Sequence, residues 1–98
     1  IIYRVRLFKI WHKTPLMIIK YFAWLKNITN VDQEIINDED IIDIKKLKIF
    51  LLKKYPKLNQ YMKEDDIIRV AINLEYTTNN KSIDSKDEIA LFPPVSGG

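Results

Sequence analysis

Glu88-Ile89-Ala90-Leu91-Phe92-Pro93-Pro94-Val95-Ser96-Gly97-Gly98 closes the chain. Its first five residues are rich in apolar and aromatic side chains and read as a strand. Pro93 and Pro94 then fix φ and favour an extended, polyproline-like spacer. The diglycine has no side chain to bury and little reason to be ordered. A strand, a stiff spacer and a thin tip bearing a carboxylate predict a protein whose chemistry happens at its own Gly98, inside a partner's narrow site.

Working outward, the best-marked local element is a helix. Asp43 is a good N-cap, and Ile44, Leu47, Leu51 and Tyr55 recur at helical spacing with Phe50 beside them. Lys45, Lys46, Lys48, Lys53 and Lys54 form its wet side, and Pro56 ends it. Before it, Met17–Ala23 reads as a mostly buried strand, 24–28 as a short helical turn stopped by Thr29-Asn30, and 31–36 as a second, more exposed strand. Asn37-Asp38-Glu39-Asp40 is an acidic turn without the central glycine and ligand set of a calcium loop, so no metal is expected there. After the helix, 57–66 is polar and loop-like with room for one helical turn at 58–62. Residues 67–76 read as a third strand, 77–82 as a turn, and 83–88 as a bridge into the last strand. The order strand, strand, helix, strand, strand is an α+β pattern: one mixed sheet with the main helix packed across a face. A central first strand with the last strand parallel beside it is the ubiquitin-like β-grasp arrangement, one of several that the pattern allows.

Ninety-eight residues bound the chain to one domain with a small core. There is no cysteine, which removes disulfides, thiolate nucleophiles and Cys-based metal sites and suits the cytosol. No apolar run is long enough to span a membrane. The net charge of +3 is unevenly placed. Residues 1–16 hold Arg4, Arg6, Lys9 and Lys13 and no acid, whereas 17–98 hold 12 Lys/Arg against 13 Asp/Glu. We therefore expect residues 1–16 to be an N-terminal extension outside the fold, with Met17 as the natural start, and 17–98 to be the domain. The segment lacks acids, as mitochondrial transit peptides do, but also lacks their serines. The lysine run at 45–54 is read as a solvated helix face, not a nucleic-acid site. His12, without a ligand or acid neighbour in sequence, is read as structural.

Asp87-Glu88-Ile89-Ala90-Leu91-Phe92-Pro93-Pro94-Val95-Ser96-Gly97-Gly98 resembles the C-terminal signature of molybdopterin synthase small subunits, the MoaD-like sulfur carriers. Val70-Ala71-Ile72-Asn73 and Phe22-Ala23 resemble the family's third-strand and first-strand segments, so the resemblance covers 17–98. Lys86 stands where the family usually has glycine, which implies either a different turn or strain from a positive φ. The loop 77–82 also differs.

The resemblance implies a β-grasp carrier that is not catalytic alone. An E1-like adenylyltransferase and sulfurtransferase would join Gly98 to ATP-derived AMP and replace the AMP with sulfur. The Gly98 thiocarboxylate, docked in a large synthase subunit within a heterotetramer, would then donate sulfur to cyclic pyranopterin monophosphate. No permanently bound cofactor, nucleic acid or membrane is expected. Gly97 and Gly98 pass where a Cβ would clash. Pro93-Pro94 lower the entropy of threading, Ser96 offers a hydroxyl, and Val95 an apolar anchor. Leu91 and Phe92 have opposite strand parity, so one of them should face outward and help form a docking patch. Phe92 is either core or interface. Asp87 and Glu88 are read as a turn feature or an ion pair with the partner, and Trp24 and Tyr76 as core or edge residues. Two other readings remain: a sister diglycine carrier for tRNA or thiamine thiolation or for protein conjugation, and a plain interaction domain.

Overall fold

A computed structural model describes residues 16–94. Five strands form one sheet in the order β2-β1-β5-β3-β4. They are β1 (Met17–Tyr21), β2 (Gln33–Ile36), β3 (Arg69–Ile72), β4 (Glu75–Thr77) and β5 (Glu88–Phe92). A short helix α1 (Leu25–Thr29) follows β1, and the main helix α2 (Ile44–Lys54) follows β2. Only the β1–β5 pairing is parallel; the others are antiparallel.

The core follows from strand parity. Met17, Ile19 and Tyr21 of β1 and Ile89 and Leu91 of β5 are buried, and their neighbours in sequence are less so. Parallel register sets Ile19 opposite Ile89 and Tyr21 opposite Leu91, and antiparallel register sets Val70 opposite Leu91. Onto this face α2 lays Ile44, Leu47 and Leu51, the periodic stripe expected from the sequence. The Asp43 carboxylate accepts from the Lys46 backbone N–H at 2.8 Å, so the predicted cap forms. The predicted stop at Asn30 is a left-handed C-cap with φ 66°.

Two expectations require correction. Residues 67–76 are not one strand. Asn73 (φ 50°) and Leu74 (φ 73°) fold the chain back into the β3–β4 hairpin, giving five strands instead of four. Residues 57–66 are not mainly loop. A 3-10 turn at Pro56–Leu58 and a π-helical turn at Gln60–Glu64 bury Leu58 and Met62 in the core. Ser85-Lys86 turn without a positive φ at Lys86, so the family's glycine is replaced by a different turn and not by strain. Residues 1–15 lie outside the described residues.

Candidate functional site

The tail is launched from the middle of the sheet. β5 lies between β1 and β3, so hydrogen bonds hold it on both sides. Beyond the named ladder, the Ile18 N–H donates to the Asp87 carbonyl at 3.2 Å and the Phe22 N–H to the Leu91 carbonyl at 3.0 Å. The anchor thus reaches from the strand's entry almost to its last residue. Pro93 is buried and Pro94 exposed, so Pro93, expected as part of the spacer, belongs to the body and the arm starts at Pro94. Val95, Ser96, Gly97 and Gly98 lie outside the described residues.

The strand's entry is fixed by one amide. Asn73 Nδ2 donates to Asp87 Oδ1 at 2.9 Å, and Asn73 Oδ1 accepts from the Glu88 N–H at 2.9 Å. Its own N–H donates to the Glu88 carbonyl at 2.8 Å. Asp87 Oδ2 accepts from the Asp84 N–H at 2.7 Å, closing the turn before β5. Asp87 is therefore a turn feature. Glu88 pairs with Lys20 of β1 at 3.3 Å.

Leu91, named as a docking candidate, is in the core at 1% exposure. Its parity places it against Tyr21 and Val70, so Phe92 is the outward member of the pair. Phe92 sits opposite Arg69, and Ala90 opposite Ala71, which in turn faces Tyr76 on β4. The Tyr76 and Phe92 rings lie 6.2 Å apart, tilted by 48°. Further along the same face, Ile18 is paired with Ile35, which is 58% exposed. Two alanines between larger side chains make a shallow apolar saddle at the base of the arm, opposite the helix. Tyr76, expected in the core or at an edge, is 55% exposed on the edge strand. Trp24, expected in the core or at an edge, is exposed, its ring edge-on to Tyr61 at 4.8 Å.

A second polar constellation ties the sheet to α2. The Glu34 carboxylate accepts from the Tyr21 hydroxyl and, at 2.6 Å, from the Tyr55 hydroxyl. Its other oxygen accepts from Lys54 Nζ at 2.5 Å. Burial works against ionisation of Glu34, but the bonds from Lys54, Tyr21 and Tyr55 outweigh it and hold the carboxyl below its ordinary range. Burial and the neighbouring carboxylate push Tyr55 up to about 12 and Tyr21 higher still. Both phenols are therefore permanent donors at neutral pH. Sequence reading had put Tyr55 on the apolar stripe and left Glu34 without a role. The partners are 13, 20 and 21 residues from Glu34, and no local pattern links them. Among the described residues, no group of His, Cys, Asp and Glu is arranged to hold a metal ion, and no helix is long and apolar enough to cross a membrane.

A mixed five-stranded sheet clasping one main helix, with the C-terminal strand central and parallel to the first, defines a ubiquitin-like β-grasp protein. The ThiS family model matches residues 19–98, and the chain belongs to that family. It is similar to small archaeal modifier protein 1 of Haloferax volcanii, at 28% identity and TM-score 0.70 over 85% of this chain and 99% of that one. It is also similar to a Pyrococcus furiosus protein described as a candidate molybdopterin converting factor, subunit 1. There the identity is 26% and the TM-score 0.70, over 82% of this chain and 98% of that one. The molybdopterin synthase sulfur carrier subunit of Arabidopsis thaliana is 38% identical over 48 residues. That match takes in 49% of this chain and 47% of the plant protein, about half of each.

Proposed function

We propose that the chain is a sulfur carrier serving as the small subunit of a molybdopterin synthase, with Gly98 as the sulfur-bearing residue. The observation that carries this reading is the family match through the diglycine, joined to a β5 strand anchored on both sides just before the arm. A carboxylate at the end of such an arm is a poor acylating group. Attack of its oxygen on the α-phosphorus of ATP forms an acyl-adenylate and releases pyrophosphate. A sulfur nucleophile at the sulfide level then displaces AMP, leaving a C–S bond where a C–O bond was. In the large subunit the thiocarboxylate sulfur forms a new C–S bond on a side-chain carbon of cyclic pyranopterin monophosphate as a C–O bond to that carbon breaks, its oxygen leaving with the phosphate or as water. Water then hydrolyses the acyl–sulfur bond, leaving sulfur on the pterin and restoring the Gly98 carboxylate. Two such transfers build a dithiolene. Division of one hard step into activated stages is covalent group-transfer catalysis, and the arm supplies positioning.

The acid–base side chains in this scheme belong to the E1-like activating enzyme and the large subunit. This chain contributes the reacting atom, a stiff lead-in at Pro94, and the saddle formed by Phe92, Tyr76, Ala71 and Ala90 as the docking patch. The plant relative's role as a molybdopterin synthase subunit supports this assignment. The likeness to an archaeal modifier supports a second reading, in which the same activated Gly98 is passed to protein lysines.

Intact-mass measurement tests the chemistry. After incubation with the cognate activating enzyme, ATP and a sulfur donor, the chain should gain the mass of one oxygen-to-sulfur exchange at Gly98. An unchanged terminus refutes the carrier reading. Copurification separates the two readings: a stable complex with a synthase large subunit supports the first, and covalent protein adducts support the second.

A further inference from the structure

We propose that the groove between the N-terminal half of α2 and the β3–β4 hairpin is a docking site for an acidic, aliphatic peptide segment of a partner protein, adjoining the saddle at Tyr76. The groove encloses about 480 Å³. Its floor is apolar, made by Ile44, Ile68 and Val70, and its rim carries Lys45, Lys48 and Arg69. Tyr76 and residues 77–80 form the far wall.

The charge around it is unbalanced. Asp66 is the single carboxylate of the lining, 3.9 Å from Lys48 Nζ, and its carbonyl accepts from Arg69 Nη1 at 3.1 Å. Neither Lys45 nor Arg69 forms an ion pair among the described residues. This cationic rim sits on a domain whose residues 17–98 hold one more acid than base, so it is a local departure from the overall balance. The lysine run of α2 is thus divided: Lys54 is engaged by Glu34, whereas Lys45 and Lys48 face the groove.

The wall is already formed. Asn80 Oδ1 accepts from the Lys45 backbone N–H at 2.8 Å, and Asn80 Nδ2 donates to Asp43 Oδ2 at 3.3 Å, pinning the loop to the helix start. A ligand therefore meets a preorganised cleft. An apolar floor under a basic rim complements a segment that carries aliphatic side chains flanked by Asp or Glu. A free phosphate or a nucleic acid would use the rim and leave the floor unfilled. Tyr76 lines the groove and also stacks near Phe92, and Arg69 sits opposite Phe92, so the groove adjoins the saddle along β3 and β4 and extends the surface at the base of the arm.

The test is an NMR titration of the full chain with the capped peptide Asp-Glu-Val-Ile-Val-Glu-Asp. Amide shifts confined to 44–48, 66–70 and 76–80, with a dissociation constant below about 1 mM, are expected. Lys45→Glu and, separately, Arg69→Gln should each weaken binding about five- to tenfold. Lys45 is exposed and its substitution should leave the oxygen-to-sulfur exchange at Gly98 unchanged, so failure here is distinguishable from failure of the carrier reading. Equal binding of a peptide with the acids replaced by lysines overturns the proposal. So do shifts scattered outside the groove, and so does tighter binding of inorganic phosphate or a single-stranded oligonucleotide at the same residues.

Discussion

Replacing Glu34 with glutamine removes a charge while nearly preserving shape, and its effect follows from three bonds. The carboxylate accepts from two tyrosine hydroxyls and one ammonium, and its side chain is only 14% exposed. Hydrogen bonds to a buried charged group contribute about 1.5–3 kcal/mol each, and a neutral replacement about 1. The Lys54 pair is discounted to about 0.5 kcal/mol, because that side chain is 45% exposed. Both tyrosines donate to one oxygen, so a glutamine oxygen there keeps both bonds but as weaker neutral ones, and its NH2, facing Lys54, cannot accept from the ammonium. The net loss is about 2 kcal/mol at neutral pH, which lowers the melting temperature of a domain this size by about 10 °C.

The same bonds set the pH dependence. Glu34 is held below its ordinary range, so its contribution is present above the unfolded carboxylate pKa of about 4 and is lost as pH falls through the lower folded value. Melting curves of parent and Glu34→Gln by circular dichroism should therefore differ by about 10 °C at pH 7 and draw together as the pH falls through the lowered folded pKa of Glu34. The tyrosines act at the other end. Their folded pKa values are raised, so their contribution holds below about 10 and fades as pH rises through about 12 for Tyr55. A gap that does not narrow anywhere in the acid range, or a variant that melts within about 2 °C of the parent at pH 7, would refute the reasoning.

Leu74 is 86% exposed at φ 73°, so it packs on little and occupies a conformation that disfavours a Cβ. Leu74→Gly should stabilise by about 0.5–1 kcal/mol and raise the melting temperature by a few degrees; a fall would contradict the turn assignment. Asn73→Ala removes the amide that fixes the entry of β5 and should cost about 2 kcal/mol, read by urea unfolding. Well below its melting point that variant should still accept sulfur at Gly98 at the parental rate. Tyr76→Ala should weaken large-subunit binding about tenfold by calorimetry while changing stability by less than about 1 kcal/mol, and unchanged affinity would remove the saddle as docking patch.

The sequence made the frame readable wherever the signal was local. The Asp43 cap, the Ile44–Leu47–Leu51 stripe, the Asn30 stop and the β5 strand all lie within a few residues of the features that create them. The β3–β4 hairpin was missed because Asn73-Leu74 lacks the usual glycine and the apolar and polar alternation runs on through it. Parity told that Leu91 and Phe92 face opposite ways, but only register with Val70 and Tyr21 decides which one is buried. The Glu34 constellation and the basic groove join residues far apart in the chain, and neither exists before the sheet is assembled.

The central position of β5 has a mechanical side. A partner that grips the arm and draws on it pulls β5 along its own axis, with β1 on one side and β3 on the other. The load falls on both ladders in shear, where many hydrogen bonds must fail together. A terminal strand at the sheet's margin would instead peel away one bond at a time. Resistance to such traction is governed by the unfolding rate, not by the equilibrium stability alone. Tension applied to the chain beyond Phe92 therefore meets a body that yields more slowly than one whose last strand lay at the sheet's margin.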